Sequence, residues 1–205
     1  MLLADRDQEG VRYLTESLNI VKSMLSGSDD SISSDQEHRS QASTAIIHQE
    51  SCPLSNLQDI NCFIYSNALI FSLDSACPLS EDDVHIYSAT IILNIALAYH
   101  RRGLTGNPSS LLKAEMMYEM ITKLLGSEEN HGTSLVVLLA AINNLSQLRH
   151  DRGLYDASLE GFKYLGSLIN FAGNNVNISL QNEQIYKGML LNVLLVSAPD
   201  AAAAA

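Results

Sequence analysis

Apolar positions recur at i, i+3, i+4, i+7, i+10 and i+11 in three stretches of this chain. One is Ala114, Met117, Tyr118, Ile121, Leu124 and Leu125, and a second is Ser158, Gly161, Phe162, Leu165, Leu168 and Ile169. The third, near the N-terminus, is Gly10, Tyr13, Leu14, Ser17, Ile20 and Val21. That spacing puts each set on one stripe of an α-helix. Each set opens with a small residue and continues with an aromatic or large aliphatic one. A small residue lets a paired helix approach closely, and the large one fills the space beside it. The shared order predicts three copies of one structural element.

A second repeat runs in step with the first. His100-Arg101-Arg102-Gly103-Leu104 returns fifty residues later as His150-Asp151-Arg152-Gly153-Leu154. Each copy closes an apolar, helix-patterned segment and precedes one of the striped helices. Glycine just past a helix adopts the left-handed conformation that satisfies orphan carbonyls, so both helices are expected to end at their glycine. From Gly153 to Ser158 is five residues, a tight helix–turn–helix. From Gly103 to Ala114 is eleven, which places six extra residues in a loop over 104–110. A two-helix unit repeated along a chain predicts an all-α solenoid, in which neighbouring units bury each other's faces.

Asn94-Ile-Ala-Leu-Ala-Tyr99-x-x-x-Gly103 resembles the Asn-Leu-Gly-x-Ala-Tyr-x-x-x-Gly of tetratricopeptide repeats. Asn144-Leu-Ser-Gln-Leu-Arg-His-Asp-Arg-Gly153, with Tyr155 two residues on, is similar to a second copy, in the manner of the longer repeats of kinesin light chains. The second copy departs at Arg149, where the family has an aromatic, and at Leu148, where it has a small residue. The likeness covers residues 84–171 well and 7–25 and 180–195 in part. It implies a helix–turn–helix solenoid whose first helices line a concave groove for an extended peptide. The matching positions are Leu93, Asn94, Leu97, His100 and Arg101 on one helix, and Asn143, Asn144, Gln147, His150 and Asp151 on the next. In peptide-binding relatives the asparagine matched by Asn94 and Asn144 holds the peptide backbone. A side-chain amide suits that task because it donates and accepts at once. The alternative, an asparagine bonding only within its own repeat, carries equal weight. The lysine clamp that some members use for a terminal carboxylate is not matched, since Leu93 and Leu97 stand in two of its places.

The remaining segments divide the chain further. Residues 1–25 read as a partial repeat, the second helix of a unit without its first. Residues 26–55 are rich in serine and poor in large apolar residues, a composition that cannot offset ordering entropy and predicts a disordered linker. Within 56–80, residues 61–73 are dense in β-branched and aromatic side chains, with Ser66-Asn67 as a candidate turn. A short β-hairpin or extended strip against the helices is expected there, with one short helix as the alternative. Ser80 followed by Glu81, Asp82 and Asp83 signals a helix start, predicting a helix from about 82 to 102. Repeats then run over 81–196, ending in a capping helix at 181–196 in which Asn192 falls 48 residues after Asn144. Residues 197–205 form an alanine-rich tail.

Composition narrows the function classes. Of 205 residues, 46% are hydrophobic but only 6% aromatic and none is Trp, so packing rests on Leu, Ile, Ala and Met. The net charge of −11 disfavours a nucleic-acid binder, which needs clustered Lys and Arg, and points to a neutral or basic protein segment as partner. Cys52, Cys62 and Cys77 fit neither a disulfide framework nor a zinc motif. The first residues lack a secretory apolar stretch, and the apolar runs 91–99 and 135–142 fall far short of the roughly 20 residues a membrane helix needs. The chain therefore reads as intracellular and cytoplasmic, without membrane contact. His100 and His150 occupy equivalent positions, but no ligand pair, phosphate loop or nucleophile elbow accompanies them. The expectation is a non-enzymatic adaptor that requires no cofactor. The alternative is a structural piece that forms homo-oligomers by stacking through its incomplete repeats.

Overall fold

The computed structural model describes residues 12, 15, 16, 47–49, 64–66, 68–71, 81–126, 133–175 and 183–197. These are dominantly helical. Five helices follow one another: α1 (Glu81–Leu104), α2 (Pro108–Leu125), α3 (Thr133–Asp151), α4 (Tyr155–Asn175) and α5 (Glu183–Ser197). Each packs on the next, and α1 also touches α3. One short antiparallel pair accompanies them, β1 (Ile47–Gln49) with β2 (Leu69–Phe71), in the register Ile47↔Phe71, His48↔Ile70, Gln49↔Leu69. The all-α expectation is met.

The striped helices are α2 and α4, and their stripes face the core. Ala114, Tyr118, Ile121 and Leu125 are fully buried in α2, and Ser158, Phe162 and Leu165 in α4. Met117, Leu124, Leu168 and Ile169 pack at the margin of the same core. Between these helices lies α3, in which almost every position from Ser134 to Leu148 is buried. An element apolar on all sides belongs at the centre of a bundle rather than at its surface. The six residues of the N-terminal stripe lie outside the described residues; of the same segment only the helical, exposed Arg12, Thr15 and Glu16 are described, with an Arg12–Glu16 ion pair at 3.8 Å.

The two glycines that close the repeats behave differently. Gly153 has φ 75°, its N–H donates to His150 O at 2.9 Å, and the N–H of Leu154 donates to Arg149 O at 2.9 Å. This pair of reverse bonds is the left-handed termination expected there. Gly103 instead stays within α1, and the left-handed residue falls at Gly106, φ 104°. A Cβ on Gly103 would run into the Leu111 side chain, so glycine serves close helix approach at this point. The expected loop over 104–110 is correspondingly shorter. Pro108 sits at the first turn of α2, where its missing N–H costs nothing and its fixed φ favours the helix. The six extra residues have largely become helix.

Among the described residues of 61–73 there is no strand pairing within the segment. Ile64, Tyr65, Ser66 and Ala68 carry no helix or strand assignment, and β2 pairs with residues 47–49 rather than within the segment. The extended-strip expectation fits what is described. Most of the serine-rich segment 26–55 and the tail 198–205 lie outside the described residues; residues 47–49, inside that segment, form β1.

Arg149, which departs from the repeat pattern, pairs with acids of α2. Its Nη2 stands 2.6 Å from Glu119 Oε1 and its Nε 3.6 Å from Glu115 Oε1, while Arg152 also pairs with Glu115. An ion cluster ties α3 to α2 at this point.

Substituting Ala114→Leu adds volume where α2 has none to spare, and the expected loss is about 1–3 kcal/mol of stability. Chemical denaturation of the variant measures it. An unchanged midpoint would mean that the close approach does not govern packing here.

Candidate functional site

The face shared by α1 and α3 carries Asn94 and Asn144, and a strip comprising residues 64–66 and 68–71 lies on it. The amide of Asn94, half-buried on α1, accepts from the Leu69 N–H at 3.0 Å and donates to the Leu69 carbonyl at 2.8 Å. The amide of Asn144, buried on α3, does the same to Tyr65: Oδ1 accepts from its N–H at 2.8 Å and Nδ2 donates to its carbonyl at 2.7 Å. A residue in extended conformation points its N–H and C=O to the same edge of the strand, which matches the fork of a carboxamide. The donor and acceptor ends of both amides are assigned by these bonds, because a backbone N–H can face only the oxygen.

The two captured residues are four apart. Four residues of extended chain span about 13 Å, close to the spacing of neighbouring packed helices once the strand slopes across them. Equivalent positions on α1 and α3 thus grip residues i and i+4 of one strip. Tyr65 and Leu69 are also the residues whose side chains are buried, 1% and 3% exposed. Residues 65 and 69 share one face of an extended chain because its side chains alternate.

Asn144 is the hub of a polar network inside the bundle. Its Oδ1 also accepts from Asn143 Nδ2 at 3.1 Å, and its Nδ2 also donates to the Tyr118 hydroxyl at 3.2 Å. Asn143 Oδ1 accepts from Asn192 Nδ2 of α5 at 2.8 Å. The Tyr118 hydroxyl, which accepts from Asn144, also stands 3.1 Å from His100 Nδ1, and the imidazole tautomer sets which of the two donates. Three successive asparagine positions at the 48–50-residue repeat, Asn94, Asn144 and Asn192, therefore serve the strip or this network.

The ten positions expected in the groove separate into groups. Asn94 and Asn144 hold the backbone of the chain's own Leu69 and Tyr65, where the expectation was the backbone of a partner segment. Leu97, His100 and Arg101 join Ile64, Tyr65, Ser66, Leu104 and Thr105 around a cavity of about 180 Å³. Leu93 is wholly buried in the core and offers no groove surface. Asn143 is likewise buried, acting through Asn144 and Asn192. Gln147 is buried and donates to Asp151 Oδ1 at 2.8 Å, while His150 and Asp151 lie toward solvent at the end of α3. His150 stacks edge-on against Tyr155. His100 is 2% exposed and committed to Tyr118, so the two histidines do not meet in one site. Among the described residues no group of three or more His, Cys, Asp or Glu is arranged to hold a metal ion. None of their helices is long and apolar enough to cross a membrane.

Sequence reasoning missed Tyr118 as a polar participant, since its place in an apolar stripe reads as core. It missed the strip as the occupant of the asparagines. Only the density of aromatic and β-branched residues over 61–73 signalled a strand able to lie there.

Burial lowers the His100 pKa from 6.5 to about 4 and pushes the Tyr65 and Tyr118 phenols upward. An unfolded chain binds a proton at an ordinary imidazole near 6.5, whereas the folded chain resists until about 4. Stability from this group is therefore complete above pH 6.5 and is lost as pH falls toward 4, on the order of 3 kcal/mol in all. Melting temperature against pH for wild type and His100→Gln reads this out, with a shallower acid slope expected for the variant. Equal slopes would mean that His100 does not titrate from a buried state.

Compared with known proteins, the chain matches no family model, no curated sequence and no solved structure, so its functional reading rests on its own residues.

Proposed function

We propose that this chain is a non-enzymatic protein-interaction module whose two-helix units form a short tetratricopeptide-like solenoid and whose α1/α3 groove binds an extended protein segment. The observation that carries this reading is the pair of two-point backbone grips by Asn94 and Asn144. A carboxamide that satisfies both polar groups of a residue binds peptide backbone without reference to its side chain. Two such grips at fixed spacing select extended conformation and set register. Side-chain selectivity then comes from the positions between helices where Tyr65 and Leu69 now sit. This is the logic of strand recognition on a helical scaffold, with amides in place of a sheet edge. The acidic chain favours a neutral or basic segment, bound more weakly as salt rises.

The two asparagines are not equivalent in a test. Asn144→Ala would strand the Tyr65 backbone groups and the Asn143 amide in the interior, costing on the order of 3 kcal/mol and disturbing the fold. Asn94 is half-buried and bonds the strip alone, so it separates binding from folding. Selection of peptides from a displayed random library against the protein is expected to enrich segments with large apolar residues four apart. Measured in a chain whose own strip is unseated by Leu69→Asp, Asn94→Ala should weaken those peptides about tenfold, consistent with loss of one or two hydrogen bonds, while circular dichroism stays unchanged. Failure to enrich any peptide, or full affinity in Asn94→Ala, would remove this reading.

A second reading is favoured by α5. Leu190, Leu191, Leu194 and Leu195 are exposed on its outer face while Met189 and Asn192 are buried beneath. Four leucines on one surface suit association of copies through the end of the bundle. Light scattering over a range of concentrations is expected to show a multimer that Leu191→Glu/Leu194→Glu converts to monomer. A monomer at every concentration would reject it.

A further inference from the structure

Resting on the groove-binding reading, we infer that residues 64–71 are an internal ligand of the groove, which an incoming partner segment must displace. The partner this geometry fits is an extended segment with an aromatic residue at one position and leucine four residues later, uncharged at both. Phenylalanine fits the first position better than the tyrosine that fills it.

Three observations lead here. First, the contacts between strip and helices have the character of peptide recognition. Each grip joins a side chain of the helical scaffold to the main chain of a segment 25 or 79 residues distant. A strip serving only as a core element would need no paired backbone capture at two repeat-equivalent positions. Any extended segment presents the same N–H and C=O groups, so nothing in the grips is specific to residues 64–71.

Second, the strip is an imperfect occupant. The Tyr65 hydroxyl is buried and has no hydrogen-bond partner among the described residues. A phenol buried without a partner loses its water and gains nothing, whereas a phenyl ring in the same place loses only apolar contact with water. Replacing that ring by phenylalanine should favour the seated state by about tenfold. A partner bearing phenylalanine there thereby holds an advantage over the chain's own segment.

Third, the groove is not filled. The cavity of about 180 Å³ beside Ile64, Tyr65 and Ser66 is walled on the helical side by Leu97, His100, Arg101, Leu104 and Thr105. Leu97 and the Leu104 side chain make that wall apolar, with Arg101 at its exposed rim. A partner with a larger apolar side chain than Ser66 next to its aromatic residue reaches this space and gains contacts that the internal segment lacks. The strip's other edge is engaged by β1, so displacement exchanges one strand for another on the helical face without dismantling a helix.

The test uses the full chain and a fluorescein-labelled, lysine-flanked peptide of residues 64–71 carrying Tyr65→Phe. Fluorescence anisotropy compares wild type with Leu69→Asp, whose charge cannot remain buried against the helices and so unseats the internal strip. The peptide is expected to bind Leu69→Asp at least tenfold more tightly than wild type, because it no longer competes with an attached occupant. Equal affinity for the two proteins would overturn internal competition while leaving groove binding intact. Binding to neither would overturn both. Should Leu69→Asp lose its helicity, amide hydrogen exchange in the wild-type chain decides. Saturating peptide should speed exchange of the chain's own Tyr65 and Leu69 amides, and unchanged protection of both would overturn the inference.

Discussion

The side-chain amide of Asn144 is the interaction on which the rest of the arrangement depends. It sits where α3 is buried on all sides, and there an unpaired polar group is costly. All of its hydrogen-bonding capacity is used: both polar groups of Tyr65, the Asn143 amide and the Tyr118 hydroxyl. Each partner belongs to a different part of the fold. The strip, α2 and, through Asn143, α5 are all positioned relative to α3 by one carboxamide. Through Tyr118 the same network reaches His100 on α1, whose burial keeps the imidazole neutral. Apolar packing brings these elements together, but it does not fix how far each slides. A fully satisfied polar network does, because every alternative register leaves a buried donor or acceptor unpaired.

Asn94 repeats this geometry fifty residues earlier under different conditions. It is half-buried and engages Leu69 alone, so it can release its residue to water at modest cost. The two grips therefore differ in kind. One is built into the core, and the other closes on the strip at the margin. A segment gripped tightly at one end and loosely at the other is released from the loose end first. The asymmetry follows from burial, since α3 lies between neighbouring helices while this side of α1 is open to the strip.

Packing details follow the same economy of space. Gly103 is required by the closeness of Leu111, and Gly161 by Ser146, whose side chain occupies the place a Cβ would take. Arg149 pairs with two glutamates of α2. These substitutions keep helices close or tied at the points where the repeat pattern is least regular.

Much of the architecture was legible in the chain itself. The 3.6-residue stripes identified α2 and α4 and most of their buried residues, because helical periodicity alone decides which positions share a face. Gly153 and the acids after Ser80 marked helix ends, since capping is a local matter of backbone geometry. That Asn94 and Asn144 could bind backbone was legible only through the resemblance to a known repeat, beside the equal alternative of bonding within their own unit. What they bind was not. The partners of Asn144 come from residues as far as 79 positions away, and nothing local in Tyr65 distinguishes it from any other aromatic residue. The termination of α1 beyond Gly103 was equally hidden, because the side chain that demands glycine there belongs to the next helix. Leu93 and Asn143, neighbours of the two grips, were assigned to the groove by position and lie in the core instead. A one-residue step rotates a helical side chain by about 100°, and only the packing of α1 against α3 decided which of the adjacent residues faced the strip.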